Sequence, residues 1–257
     1  MEERGCEQRH VKGNEVNFPT RTSEGKRAAV QPRGRLGLVF AVFIFLIGVC
    51  VVAYPAVSDW WNARVMSSAI QSYDESCHVL RDEQRDALWQ DAVAYNRELF
   101  EADCGYELPE SLTARYSDML STDASGIMGY VEIPSIGVEL PLYHGTGEDS
   151  LQIGAGHLEW TSLPTGGVNT HCVISGHTGL PSARLFTDLD ELAEGDVFYV
   201  HVLGHVMEYR VYETQIVLPA EVANLMISPG RDLCTLLTCT PYGQNTHRLL
   251  VHGERVL

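Results

Sequence analysis

Residues 36–58 contain no charged side chain, and residues 36–54 are apolar almost without interruption. Nineteen such residues in one helix are enough to cross a hydrocarbon core of ~30 Å. A helix in a soluble core is rarely apolar on every face over that length. The run is also longer than the apolar region of an ordinary signal peptide, and no Ala-x-Ala cleavage pattern follows it. Arg33 and Arg35 immediately before it predict a cytoplasmic N-terminus, so everything after Asp59 faces outward. Tyr54, Trp60 and Trp61 suit the outer interfacial belt. The chain reads as a single-pass membrane anchor carrying an external C-terminal domain.

The two sides of that helix differ in charge. Residues 1–35 hold eight basic and five acidic side chains, while the whole chain of 257 residues has a formal net charge of −16. No lysine occurs after Lys26. The polar, aperiodic segment 1–35 reads as a disordered cytoplasmic tail. The acidic remainder argues against nucleic-acid binding. Seven cysteines, an odd number, leave at least one thiol free.

Residues 59–123 form a helical stalk or a helical hairpin packed on the domain. Ser58 or Asp59 caps a first helix to about Leu80, and Asp82 starts a second. Residues 103–123 are irregular in pattern. Cys77 and Cys104 are either a disulfide tying this segment to the first helix or two unlinked thiols, and their spacing does not decide between them. From residue 124 the pattern turns to strands: 129–133, 138–143, 171–175, 196–203, 205–217, 233–239 and 249–255, separated by Gly and Pro turns. That succession indicates an all-β barrel or sandwich over residues 124–257. Residues 148–153 read as a short helix, and residues 182–192 as a helical crossover with Leu185, Phe186, Leu189 and Leu192 on one side.

Two strand ends carry the chemistry. Residues 234–239 are an apolar strand ending in Cys239; Pro241, Gly243 and Asn245 then break it, and Arg248 heads the next strand. A permanent cation near a thiol favours the thiolate, the form that attacks carbonyls. A free cysteine in such a place is equally compatible with a small buried core residue. Residues 173–177 form a second strand stopping at His177, fenced by Gly176 and Gly179. A nucleophilic cysteine needs such a proton-trading partner, brought near by the fold. No metal is expected: there is no Cys-x2-Cys or His-Glu-x-x-His, and Cys234 and Cys239, five apart on one strand, point to opposite faces. His144, His157, His171, His201 and His205 read as structural or surface residues, and Cys172 and Cys234 as core thiols.

Thr238-Cys239 with Arg248 opening the following strand, and Ser175-Gly176-His177 upstream, resemble the sortase transpeptidases of Gram-positive bacteria. The run 235–251, with 175–185 and His157-Leu158-Glu159, is most similar to the class C, pilus-assembling group, and the resemblance spans about residues 95–255. It implies a closed sortase-type β-barrel of about seven or eight strands with short helices, needing no cofactor. It implies a secreted donor protein with a C-terminal Leu-Pro-x-Thr-Gly-like sorting signal, cut between Thr and Gly by Cys239. His177 would be the general acid and base, and Arg248 the oxyanion or backbone partner; Thr238, Tyr242 and Asn245 would shape the substrate groove. The acceptor amine would be a pilin lysine or, in a housekeeping enzyme, the cell-wall precursor; water would make the chain a hydrolase, and a membrane-anchored scaffold would have lost the activity. Two departures stand out. Pilus sortases carry an Asp-Pro-aromatic lid, where this chain has Asp103-Cys104-Gly105-Tyr106, so a lid would use Asp103 and Tyr106. The group also commonly has a second membrane helix after the domain, which the sequence to Leu257 does not include.

Overall fold

The computed structural model describes residues 33–180 and 182–256. Residues 1–32, most of the expected cytoplasmic tail, lie outside the described part. Helix α1 (Arg33–Val79) runs through Pro55 and Ser58 without the cap expected at residue 58 or 59. Its N-terminal portion is long and apolar enough to cross a membrane, with Phe40, Phe43 and Phe45 exposed along it.

From residue 48 onward the chain forms a second compact unit. Helix α2 (Asp82–Ala102) begins at the expected residue, and α3 (Glu110–Tyr116) occupies part of the segment read as irregular. Eight strands follow: β1 (Ile127–Ile133), β2 (Val138–His144), β3 (Ala155–His157), β4 (Thr170–Ser175), β5 (Val197–Val202), β6 (His205–Val217), β7 (Asp232–Thr240) and β8 (His247–Arg255). A short helix, α4 (Glu148–Leu151), precedes β3. The strands close into a barrel in the order β1-β2-β3-β4-β7-β8-β6-β5. Seven of the eight match the strands read from alternation. The eighth, β3, is three residues wedged parallel to β2 and antiparallel to β4.

Alternation explains which side chains fill the barrel. Along β5, Phe198, Val200 and Val202 are buried, while the residues between them are half-exposed. Strands β4 and β7 are covered on both faces, which accounts for their almost continuous apolar runs. Cys172, Ile174, Cys234 and Leu236 belong to the main core, whereas Val173 and Leu250 join Val217 and Leu225 in a smaller cluster on the other face.

Within residues 59–123 the helices pack on the domain. Tyr73, Tyr95, Leu99 and Leu112 are buried in the same core as the barrel. The Tyr73 hydroxyl donates to the Met128 carbonyl (3.1 Å) and accepts the Leu203 N–H (2.9 Å). Asn96 of α2 accepts the Leu163 N–H (2.7 Å) and donates to the Leu163 carbonyl (3.0 Å). The expected helix over 182–192 is instead a series of turns with one 3-10 turn, Leu189–Glu191.

Candidate active site

Register places the three sequence-chosen residues together. Strands β7 and β8 are antiparallel neighbours in which Cys239 pairs directly with Arg248, a position that sets Cβ atoms about 5 Å apart. Strand β4 runs parallel to β7 on its other side, with Ser175 opposite Leu237. The pairing extends one residue further, as the Gly176 N–H donates to the Leu237 carbonyl (3.0 Å). His177 follows at once, so imidazole and guanidinium flank the thiol from the two neighbouring strands.

His177 is held by its backbone. Its carbonyl accepts the Phe186 N–H (3.0 Å), and the fully buried Phe186 ring packs under Gly176. A Cβ at Gly176 would lie 2.6 Å from that ring, so only glycine fits. The His177 Nε2 makes no hydrogen bond to a described residue, and the Glu148 carboxylate lies 3.7 Å from it. Arg248 Nη1 donates to the carbonyls of Asn245 (3.3 Å) and His247 (3.1 Å). Nε and Nη2 of Arg248 have no acceptor among the described residues, which leaves them available to a bound group.

All three residues line one pocket of about 370 Å³. Its apolar wall comes from Leu237 and Leu250 between the strands, Val217 and Leu225 from β6 and the connection after it, and Leu158 and Trp160 from the β3–β4 connection. The last pair is positioned by a local network. The Thr161 hydroxyl donates to the Leu158 carbonyl (2.7 Å) and accepts the Val173 N–H (3.1 Å). Nearby, His157 Nε2–H donates to the Ser162 carbonyl (2.9 Å), which leaves Nδ1 to accept the Tyr116 hydroxyl (2.9 Å). Burial pushes the Tyr116 phenol far up, so it stays a donor. Sequence reading missed this apolar wall. Period two was the available signal for part of it, since residues 237 and 239 must share a face of β7.

The expected groove residues make other contacts. Thr238 points the opposite way from Cys239, is buried, and donates to the Gly176 carbonyl (2.8 Å), so it fixes the strand end that carries His177. Tyr242 rests on Gly179 (φ 75°), where an added Cβ would meet its ring at 3.1 Å, and lines a separate groove beside Pro55 and Asp59 of α1. Asn245, at φ 56°, donates its N–H to the Pro241 carbonyl (3.0 Å) and gives its own carbonyl to Arg248. None of the three lines the Cys239 pocket. Asp103 and Tyr106 are not brought to the thiol either. Asp103 lines an adjoining pocket of about 180 Å³ that shares Trp160 and Leu225 with the first, and Tyr106 is 61% exposed. Cys77 and Cys104 are unlinked thiols.

A family model for the sortase domain matches residues 131–256. The sortase A of Streptococcus agalactiae serotype III is 32% identical over 131 residues, a match covering 50% of this chain and 52% of that protein, about half of its length. Among solved structures, sortase C1 from Streptococcus agalactiae is 43% identical with a TM-score of 0.72, covering 74% of this chain and 98% of that one. Sortase C from Clostridium perfringens, solved with the C-terminal cell wall sorting motif, is 46% identical with a TM-score of 0.66 over 74% and 99% of the two chains. With the eight-stranded barrel matched over nearly the full length of those structures, this chain belongs to the sortase family of cysteine transpeptidases.

Proposed function

We propose that this chain is a membrane-anchored sortase of the pilus-assembling class, with Cys239 as nucleophile, His177 as general acid and base, and Arg248 as the electrostatic partner of the developing oxyanion. The observation that supports it is the meeting of these three residues, from just past the end of β4 and from β7 and β8, on one open pocket with an apolar wall. The donor is a secreted protein with a Leu-Pro-x-Thr-Gly-like end, whose Leu and Pro suit that wall. The Cys239 sulfur attacks the Thr carbonyl carbon, the C–N bond to Gly breaks, and His177 gives the departing amine its proton. An incoming amine then attacks the thioester, transfers its proton to His177, and releases the sulfur. The free N–H groups of Arg248 balance charge on the carbonyl oxygen in both steps; losing one such donor typically costs ~10²–10³ in rate.

The preference for a pilin lysine as acceptor rests on identity: 43% and 46% to enzymes named sortase C, against 32% to the sortase A match. A cell-wall precursor amine is the alternative. The helix after residue 36 serves as the anchor, with the barrel on the outer side.

The full chain in detergent, given a Leu-Pro-x-Thr-Gly peptide and a lysine-containing pilin fragment, is expected to form an isopeptide product that Cys239→Ala does not form. Transfer that survives in Cys239→Ala would remove Cys239 from its role. Transfer to a cell-wall precursor amine but never to lysine would remove the pilus assignment.

A further inference from the structure

On the face of β7 and β8 that carries the site, side chains succeed one another in rows. Cys239 pairs with Arg248, then Leu237 with Leu250, then Thr235 with His252. Beneath the thiol and one apolar layer there is therefore a polar row, completed by His171 of β4. These three side chains are only 1%, 0% and 3% exposed in the order His171, Thr235, His252. Polar groups this deep cost stability unless each is bonded, so their partners show what the row does.

His171 Nδ1 lies 2.9 Å from the Met226 carbonyl, and its Nε2 lies 2.7 Å from the Thr235 hydroxyl. The same hydroxyl lies 2.7 Å from His252 Nδ1. A carbonyl only accepts, so His171 carries its proton on Nδ1 and, as a neutral ring, accepts at Nε2. Thr235 then spends its one proton on His171 and must accept from His252 Nδ1–H. His252 Nε2 is left as a buried acceptor with no partner among the described residues. Each step forces the next, and the chain ends by aiming one N–H at Met226.

Met226 sits mid-way along the connection between β6 and β7, residues 218–231. Its neighbour Leu225, with Val222 and Pro219, lines the Cys239 pocket. The other hydrogen bonds of this connection are internal, run back to Gln215 of β6, or lie at its far end, where Gly230 and Arg231 bond to Asn169, Thr170 of β4 and Glu254 of β8. The His171–Met226 bond joins its middle to the strands beneath the thiol.

We propose that His171 is a positioning residue for donor binding, holding the 218–231 connection at the height that forms the pocket wall, with Thr235 and His252 fixing its tautomer. The inference rests on the reading that the Cys239 pocket receives the donor peptide. Asn at 171 would place an amide N–H near the Nδ1 position, whereas Gln would place one near Nε2 and leave Met226 unbonded. In the full chain in detergent, His171→Gln is expected to raise KM for a Leu-Pro-x-Thr-Gly peptide five- to tenfold. Its kcat, and the rate of Cys239 alkylation by iodoacetamide, should stay within twofold of wild type. His171→Asn should return KM to within twofold. Hydrogen exchange of amides 222–228 should quicken in His171→Gln and not in His171→Asn, a readout that needs no turnover. Unchanged exchange and KM in His171→Gln would overturn the inference, as would equal losses of kcat, KM and alkylation rate in both variants. Faster exchange without peptide cleavage by wild type would leave the tie standing and instead sink the functional reading.

Discussion

The contact between Gly176 and Phe186 makes the position of His177 depend on a single missing methyl group. In Gly176→Ala the new Cβ would stand 2.6 Å and 2.7 Å from two ring carbons of a phenylalanine with no exposed surface. Ordinary carbon contacts lie near 3.5–4.0 Å, so backbone and ring must part by about 1 Å. Overpacking of this size typically costs about 1–3 kcal/mol. In a domain of roughly 200 residues that is a fall in Tm of about 2–4 °C per kcal/mol. The strand end cannot retreat freely, because Gly176 N–H is bonded to Leu237 and its carbonyl to Thr238. The displacement therefore passes to His177, whose own carbonyl is tied to Phe186. A misplacement of about 1 Å at a catalytic group can cost ~10² in rate. The assay is a pair of measurements on the full chain in detergent: kcat for peptide transfer, and Tm. Both should fall, with Cys239 still open to alkylation. Adding Phe186→Leu should recover part of the kcat lost in the single variant, as residues in contact do not act additively. A Gly176→Ala enzyme with kcat within twofold and Tm within 1 °C of wild type would refute the reasoning.

Two other perturbations have definite signs. Burial holds the His171 imidazole at about 4 and pushes His252 below the ordinary histidine value. The unfolded chain titrates near 6.5, so between pH 6.5 and 4 it binds protons that the folded chain does not. Stability is thus intact above pH 6.5 and falls as pH drops. His171 alone accounts for about 3 kcal/mol across that window, and urea melts of His171→Asn should show a shallower loss than wild type; identical slopes would contradict this. Asp103→Ala and Tyr106→Ala should each leave donor cleavage within twofold of wild type, because neither side chain lines the Cys239 pocket; a rise of tenfold in either would restore a lid to the account.

The sequence carried the barrel through its period of two. Seven strands announced themselves by alternating or continuous apolar runs flanked by turn residues. Strand β3 did not, because Gly154-Ala155-Gly156-His157 has no apolar rhythm. It exists through tertiary fit: a Cβ on Gly156 would fall 2.3 Å from the Gly145 carbonyl. The helical spacing of Leu185, Phe186, Leu189 and Leu192 correctly marked buried residues. Their path is nevertheless a series of turns, since Phe186 bonds back to His177 and the Arg184 N–H to Asp59 (2.9 Å). The thiol, imidazole and guanidinium were legible because each sits where a strand starts or stops. The pocket wall was not, as Trp160 and Leu225 come from connections whose placement no local pattern encodes. Thr238, Tyr242 and Asn245 were expected in the groove from the family resemblance, yet alternation turns the first inward and the turn carries the others away from the pocket.

The most direct test of the account is mass spectrometry of the full chain after brief exposure to a Leu-Pro-x-Thr-Gly peptide, followed by mapping of the modified residue. The expected result is an added acyl fragment ending at Thr, attached through a thioester at Cys239, which accumulates when no amine is supplied and disappears when one is added. A fragment found on another cysteine, or an adduct at Cys239 that no amine discharges, would contradict it.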